Sequence, residues 1–360
     1  MTSIKKVAAA AGVSVGTVSN VLNRPDRVSI STRERVRAAI DDLGFVRNES
    51  ARQLRAGQSN TLALIVLDTA NPFFTDVARG AEAEAEDQLV FVCNSHDDVA
   101  RERRYLRMLE EQRVQGILIT PIGDGPHEQL DRLVARGTPV VLVDHRADNG
   151  GQCSVAVNDV LGGRLAAEHL ISLGHRRIVF IGGPFTLRQV RDRQAGAAAA
   201  IAAAGGELTV LRTPSMTVEQ GRVASLRIIE QFLGEQHQDA PDQEPTAEPG
   251  PPTAVFCAND LISLGVLQTM TAHDIAIPKK LAIIGYDDIG YAASAAIPLS
   301  SIRQPREQLG RAATRMLLEE IHEPDAHQHR QVVFEPELVV RESTAGRPAP
   351  SRTAVPPKSR

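Results

Sequence analysis

The chain has 360 residues, 42% of them hydrophobic, with three cysteines and a formal net charge of −4. That length holds more than one domain with sizeable cores, and the absence of any run of about 18 apolar residues excludes a membrane-spanning helix. The charge is unevenly placed: residues 1–60 carry ten Lys/Arg against five Asp/Glu, a balance of +5 that leaves −9 for the remainder. A basic head on an acidic body suits contact with a polyanion through the head alone. The N-terminus lacks the apolar core and cleavage site of a secretory signal. Cys93, Cys153 and Cys257 stand far apart in no metal-like spacing. A reduced, cytoplasmic protein is expected, with no metal and no cofactor.

In chain order, Ser3–Asn23 (SIKKVAAAAGVSVGTVSNVLN) carries Ile4, Val7, Ala8 and Ala11 at helical spacing. Gly12 supplies the left-handed residue that ends a helix, and Ser14 can cap the next. The second helix runs Val15–Leu22, with Val15, Val18, Val21 and Leu22 inward and Gly16, Thr17, Ser19 and Asn20 outward. Two short helices about a tight Gly turn form a helix-turn-helix, whose second helix fits the major groove. Ser31-Thr32-Arg33-Glu34 matches a capping box for a third helix, with Val36, Ala39, Ile40 and Leu43 as its stripe and Gly44 as its end. Asn48–Gly57 predicts a two-turn helix, marginal alone in water. On DNA it can fold, with Leu54 as a minor-groove wedge and Arg52 and Arg55 near phosphates.

The signatures VAAAAGVSVGTVSNVLN, VSISTRERVRAAIDDLGF and ARQLRAG together resemble the LacI/GalR family of bacterial transcriptional regulators. The resemblance implies an all-α helix-turn-helix DNA-binding head (1–47), a hinge helix and linker (48–60) and an effector-binding body (61–343). It implies operator base contacts from Val15, Gly16 and Asn20, with Thr17 and Ser19 toward the backbone and Leu54 inserted at the operator centre. Ser14, Asn23, Arg47, Asn48, Ala51 and Arg55 complete the expected DNA-binding set. Asn20 stands where many members carry Arg, so its amide suits adenine N6/N7 rather than guanine. Arg47 replaces a frequent Pro, adding a cation near phosphates.

From Thr61 the pattern turns α/β. Strand runs TLALIVLD (61–68), LVFVCNS (89–95), GILIT (116–120), PVVLVD (139–144), SVAVND (154–159), RIVFIGG (177–183), LTVLR (208–212), TAVFCAN (253–259) and LAIIGYD (281–287) alternate with amphipathic helices. This alternation predicts parallel sheets covered on both faces. Leu173-Gly174-His175 reads as a helix end, with His175 as a cation for the helix dipole. Residues 234–252 are Pro/Gln/acid-rich and read as a disordered insertion, and 344–360 as a flexible tail. NPFF, LGHRRIVFIGGP, AVFCANDLISLGVL, IIGYDD and PLSSIRQP extend the resemblance over nearly the whole chain. It implies two α/β lobes like a type I periplasmic sugar-binding protein, with the ligand between them.

Ligands in open α/β sheets sit beyond the C-terminal strand ends. There stand Asp68 and Asn71, Asp144, Asn259 and Asp260, and Asp287 and Asp288, with Phe73 and Phe74 as an apolar wall. For Asp260 and Asp288 capping or turn roles are favoured. The resemblance carries effector binding onto Arg193, Asn259 and Asp287, with Phe73, Phe74 and Asp144 beside them, and makes Met216 and Arg306 tuners of specificity. An enzyme is disfavoured. The first strand leads into DTANP rather than G-x-G-x-x-G, and there is no P-loop or G-x-S-x-G elbow. The expected protein is a homodimeric repressor reading a pseudopalindromic double-stranded operator, controlled by a sugar-like effector.

Overall fold

Three short helices build the head: α1 (Ile4–Ala10), α2 (Val15–Asn23) and α3 (Ile30–Asp42). Val7, Ala8, Ala11, Val18, Val21, Val36 and Ala39 form its core, with Ile4, Leu22, Ile40 and Phe45 packed against it. Gly12 (φ 64°) and Gly44 (φ 55°) take the left-handed turns expected of them. Two local expectations are corrected. The Ser29 side chain, not that of Ser31, caps α3 by accepting from the Thr32 amide, and starting at Ile30 lets the Ser29 carbonyl also take the Arg33 amide. Val15 is 41% exposed, because it opens α2 ahead of the first turn that meets the core.

The computed structural model describes residues 2–45, 59–123, 128–147, 150–238 and 251–345. The chain divides into two units at Ser59/Asn60. Arg47, Asn48, Ala51, Leu54 and Arg55 lie outside the described residues.

The second unit holds two six-stranded sheets. The first runs β11-β5-β4-β3-β1-β2, all parallel, from β1 (Thr61–Val66), β2 (Leu89–Asn94), β3 (Gly116–Ile119), β4 (Val140–Val143), β5 (Cys153–Val157) and β11 (Gln331–Phe334). The alternation along β1 explains why both its faces are apolar. Leu62, Leu64 and Val66 join the main core, while Ala63 and Ile65 pack with Leu106, Leu109, Leu130 and Leu133 on the other side. Those leucines come from α5 (Val99–Glu111) and α6 (Glu128–Ala135); α4 (Pro72–Glu84) and α12 (Arg306–His322) cover the first face.

The second sheet runs β12-β10-β9-β8-β6-β7, from β6 (Arg177–Gly182), β7 (Glu207–Arg212), β8 (Ala254–Cys257), β9 (Ala282–Asp287), β10 (Ser300–Arg303) and β12 (Glu337–Val339). Its helices are α7 (Asp159–Ser172), α8 (Arg188–Ala203), α9 (Val218–Gln238), α10 (Asp260–Ala272), α11 (Gly290–Ser294) and α13 (Glu342–Ala345). β12 pairs antiparallel with β10, so this sheet is not purely parallel as expected. The strands β10 (SSIR), β11 (QVVF) and β12 (ELV) lack the unbroken apolar run that marks the equally short β3, β4 and β8. They also interleave the lobes: the chain crosses between them near Asn158, at 304–305 and at 335–336.

Helix α9 extends to Gln238, five residues into the stretch read as disordered; residues 239–250 lie outside the described ones, and Pro251 and Pro252 are buried. The expected tail begins two residues too early. Thr344 in α13 is buried, its hydroxyl 2.6 Å from that of Ser300 and 2.8 Å from His169 Nε2. Gly174 (φ 93°) ends α7 as read, and the cation expected at His175 is disfavoured where that side chain lies. Burial lowers its pKa, and its Nδ1 lies 3.0 Å from the Thr253 hydroxyl.

Reciprocal glycines close three helix pairs. A Cβ on Gly80 would lie 2.1 Å from the Glu307 carbonyl, and one on Gly310 2.0 Å from that of Val77. The same exchange joins Gly163 to Arg193 (1.9 Å) and Gly196 to Val160 (2.0 Å), then Gly221 to Ile262 (2.2 Å) and Gly265 to Val218 (2.0 Å). Each contact is backbone against backbone, so no side chain can yield. Overpacking of this kind costs about 1–3 kcal/mol. Gly310→Ala is therefore expected to lower the melting temperature of the body by roughly 5 °C, read by differential scanning calorimetry; an unchanged transition would contradict the close approach.

Candidate functional site

In the head, the Ser14 hydroxyl accepts from the Thr17 amide at 3.0 Å and lies 2.9 Å from the Thr17 hydroxyl, so both side chains lock the start of α2. The Asn23 amide donates to the Ser19 carbonyl at 2.8 Å and reaches its hydroxyl at 3.2 Å. Val15, Gly16 and Asn20 are exposed along one side of α2, while Val18 and Val21 are buried on the other. A Cβ on Gly16 would meet only the Ser14 hydroxyl, at 3.6 Å, an ordinary contact. The head's own packing therefore does not require glycine there.

In the body, Asp144, Arg193 and Asp287 come together between the lobes, all buried. The Arg193 guanidinium donates to Asp159 Oδ1 and to the Ala258 carbonyl, both at 2.8 Å. It lies 3.7 Å from Asp287 Oδ1 and 3.7 Å over the Tyr286 ring. Burial works against its charge, but Asp159, Tyr286, Asp287 and Asp144 outweigh it and hold the group above the ordinary arginine range. Side-chain hydrogen bonds cross the cleft. Asn71, at the start of α4, donates to Asp287 Oδ2 at 3.3 Å, and Gln189 in α8 donates to Asp144 Oδ2 at 3.1 Å. Gln304, at a lobe crossing, donates to Asp287 Oδ1 at 2.7 Å. Arg306 follows, donating to the Asp287 and Asp288 carbonyls and to Asp76 at 2.8 Å.

Asp144 (φ 54°), Asp287 (φ 100°) and Asp288 (φ 52°) all hold left-handed backbone at strand ends. Such conformations cost about 1–3 kcal/mol each and gather at ligand sites. Asp144 Oδ1 and Gln304 Oε1 are buried and lack hydrogen-bond partners among the described residues.

The other expected residues divide differently. Phe73 and Phe74 are buried in the main core, rings edge-to-face at 4.9 Å. Asn259 caps α10 through its oxygen and donates its amide to the Met216 carbonyl at 3.2 Å, so both ends are used within the lobe. Asp260 accepts from Ser301 (2.7 Å) and the Ile289 amide (2.9 Å), and Asp288 pairs with Arg303 and Arg341. Sequence reasoning missed Gln189, Gln304, Asp159 and Tyr286. Only the strand-end position of Asp159 and the Gln-Pro break after β10 signalled any of them.

A two-lobed α/β body closed over a polar cleft, carried with a helix-turn-helix head, defines a ligand-responsive DNA-binding regulator. Residues 3–48 match the family described as bacterial regulatory proteins of the lacI family, and residues 167–344 match a periplasmic binding protein-like domain. The repressor PurR of Photobacterium profundum is 32% identical over 346 residues, 95% of this chain and 98% of that one. The solved complex of the transcriptional regulator CelR with cellobiose is 30% identical, with a TM-score of 0.65 over 95% of this chain and all of that one. A LacI family regulator from Enterococcus faecalis with bound ribose is 27% identical, with a TM-score of 0.67 over 80% of this chain and all of that one. The chain belongs to the lacI family of bacterial transcriptional regulators, and it is not an enzyme.

Burial first, and Asp159 second, push the Asp144 carboxyl well above its ordinary range; burial likewise raises Asp287 against the pull of Arg193. A carboxyl raised in the folded state binds its proton more tightly there than in the unfolded chain. Its stabilising contribution is present below the unfolded value of about 3.9 and is lost as pH rises through the folded value. Asp144→Asn is therefore expected to melt above wild type at neutral pH, with the gap closing as pH falls toward about 4. Parallel melting curves across that window, or a variant that melts lower throughout, would contradict the reading.

Proposed function

We propose that the chain acts as a homodimeric repressor on a pseudopalindromic operator, and that a sugar-like effector held between its lobes sets its operator affinity. The buried cluster of Asp144, Arg193 and Asp287 is the observation that carries the effector half. Carboxylates, a guanidinium and side-chain amides on both walls suit a ligand rich in hydroxyls. Asp144 Oδ1, without a donor among the described residues, is matched by a hydroxyl proton. Cellobiose and ribose in two related regulators support the class.

Val15, Gly16 and Asn20 reach base edges from α2, with Ser14, Thr17, Ser19 and Asn23 along the backbone and Leu54 in the minor groove between half-sites. Effector binding reorients the lobes and so favours or disfavours the hinge geometry that DNA requires. DNA as the partner places its action in the cytoplasm. Dimerisation is supported by apolar side chains left exposed on the body: Leu89, Phe91 and Val92 on edge strand β2, and Val223 and Leu226 on α9.

Operator sites selected from a random duplex pool, followed by a thermal-shift screen of sugars, test the proposal. Gly16→Ala is expected to leave the head folded and to weaken operator binding about tenfold, since one methyl stands between α2 and the groove floor. Asp287→Asn is expected to erase the thermal shift of every sugar that stabilises wild type. Sugars that stabilise both proteins equally would place the effector elsewhere. Selection of no two-fold-symmetric site would remove the operator half.

A further inference from the structure

At the opposite ends of the strands from the cleft, three elements converge. Cys153 opens β5, Glu320 lies in the last turn of α12, and His327 and His329 sit on the connection into β11. Cys153 Sγ is 3.2 Å from His327 Nε2 and 3.9 Å from His329 Nδ1. Glu320 Oε2 is 3.8 Å and 3.9 Å from those same nitrogens. All four donor atoms fall within 4.8 Å of one another. A tetrahedral ion with nitrogen and oxygen at about 2.0–2.2 Å and sulfur at about 2.3 Å needs donors roughly 3.3–3.7 Å apart. The observed separations bracket that range without an ion to draw them in.

A plain hydrogen-bond network accounts for the approach of Cys153 to His327 but not for the carboxylate. Glu320 Oε2 is buried and has no hydrogen-bond partner among the described residues. The Arg330 amide donates to Cys153 Sγ at 3.4 Å, the kind of outer contact that steadies a metal-bound thiolate. A cavity of about 140 Å³, lined in part by Glu320, Pro324, His327 and His329, gives an entry path. His327 is 4% exposed in its side chain, and His329 is 32% exposed toward that opening. The cysteine spacing gives no hint of this cluster, because only the β5–β11 pairing brings position 153 to positions 320–329.

We infer that Cys153, Glu320, His327 and His329 form a site for a zinc ion that pins α12 and edge strand β11 to β5. One thiolate, two imidazoles and one carboxylate are a borderline-soft, four-donor set that suits zinc and not magnesium or calcium. β11 has only four residues and leads into the last lobe crossing, so a cross-link at its start holds in place a strand with little pairing of its own.

The test uses the full chain stripped with a chelator, dialysed, and titrated with zinc chloride alone or cobalt chloride alone. The site predicts one ion per chain, a near-ultraviolet cobalt–thiolate charge-transfer band with visible bands of a four-coordinate centre, and a melting temperature raised by about 5 °C or more at saturating zinc. Cys153→Ser is expected to remove the charge-transfer band. His329→Gln, at the most exposed ligand, is expected to keep the metal-free melting temperature of wild type while losing at least about tenfold in zinc affinity. No cobalt–thiolate band in wild type, or unchanged zinc affinity in His329→Gln, would overturn the inference.

Discussion

One guanidinium holds the body together at its most expensive point. Arg193 is buried among Asp159, Asp287 and the Tyr286 ring, with Asp144 facing it from the other lobe. A lone buried charge of either sign would cost several kcal/mol, so Arg193 and the carboxylates around it are tolerable only because opposite charges meet there. The balance is not even: three carboxylates share one guanidinium, and Asp144, the least well partnered of them, is kept in place by a single amide from Gln189. That imbalance leaves the closed cleft poised. A neutral ligand rich in hydrogen-bond donors relieves it without adding charge, and separation of the lobes relieves it by returning Asp144 to water.

The architecture converts that local balance into a global one. Both sheets present the C-terminal ends of their parallel strands to the cleft, and the chain crosses between lobes three times beside it. Gln304 sits on one crossing and bonds Asp287, while Arg306, two residues on, holds the Asp287 and Asp288 carbonyls. A change in the cleft therefore acts on the segments about which the lobes must turn. The reciprocal glycines make each lobe resist internal deformation, because helix backbones in direct contact have no side chains to rearrange. Stiff lobes on short crossings move as bodies, the arrangement that hinge closure requires.

Much of this was legible from sequence, and the boundary has a physical meaning. Nine strands, the head helices and the turns at Gly12, Gly44 and Gly174 rest on local periodicity and on left-handed backbone, which neighbouring residues report. Asp144 and Asp287 stood out because strand ends in such sheets face ligands. Local signals failed where two caps competed, as at Ser29 and Ser31, and where a residue opened a helix before its buried face began, as at Val15. Nothing local marks Gln189 as the partner of Asp144, Asn71 as that of Asp287, or Cys153 as a neighbour of His327. Those pairs exist only once strands β10, β11 and β12 have interleaved the lobes, and those strands mix polar with apolar residues and so leave no run to read.

In the proposed function, the cleft and the operator are two sites coupled through one equilibrium. Coupling of this kind is reciprocal: the factor by which an effector changes operator affinity must equal the factor by which operator changes effector affinity. The decisive measurement takes a sugar whose binding depends on Asp287 and titrates operator by fluorescence anisotropy with and without it, then titrates the sugar with and without operator by calorimetry. Both ratios are expected to agree and to fall in the range of about 5- to 150-fold. An operator affinity indifferent to every ligand that occupies the cleft would contradict the coupling.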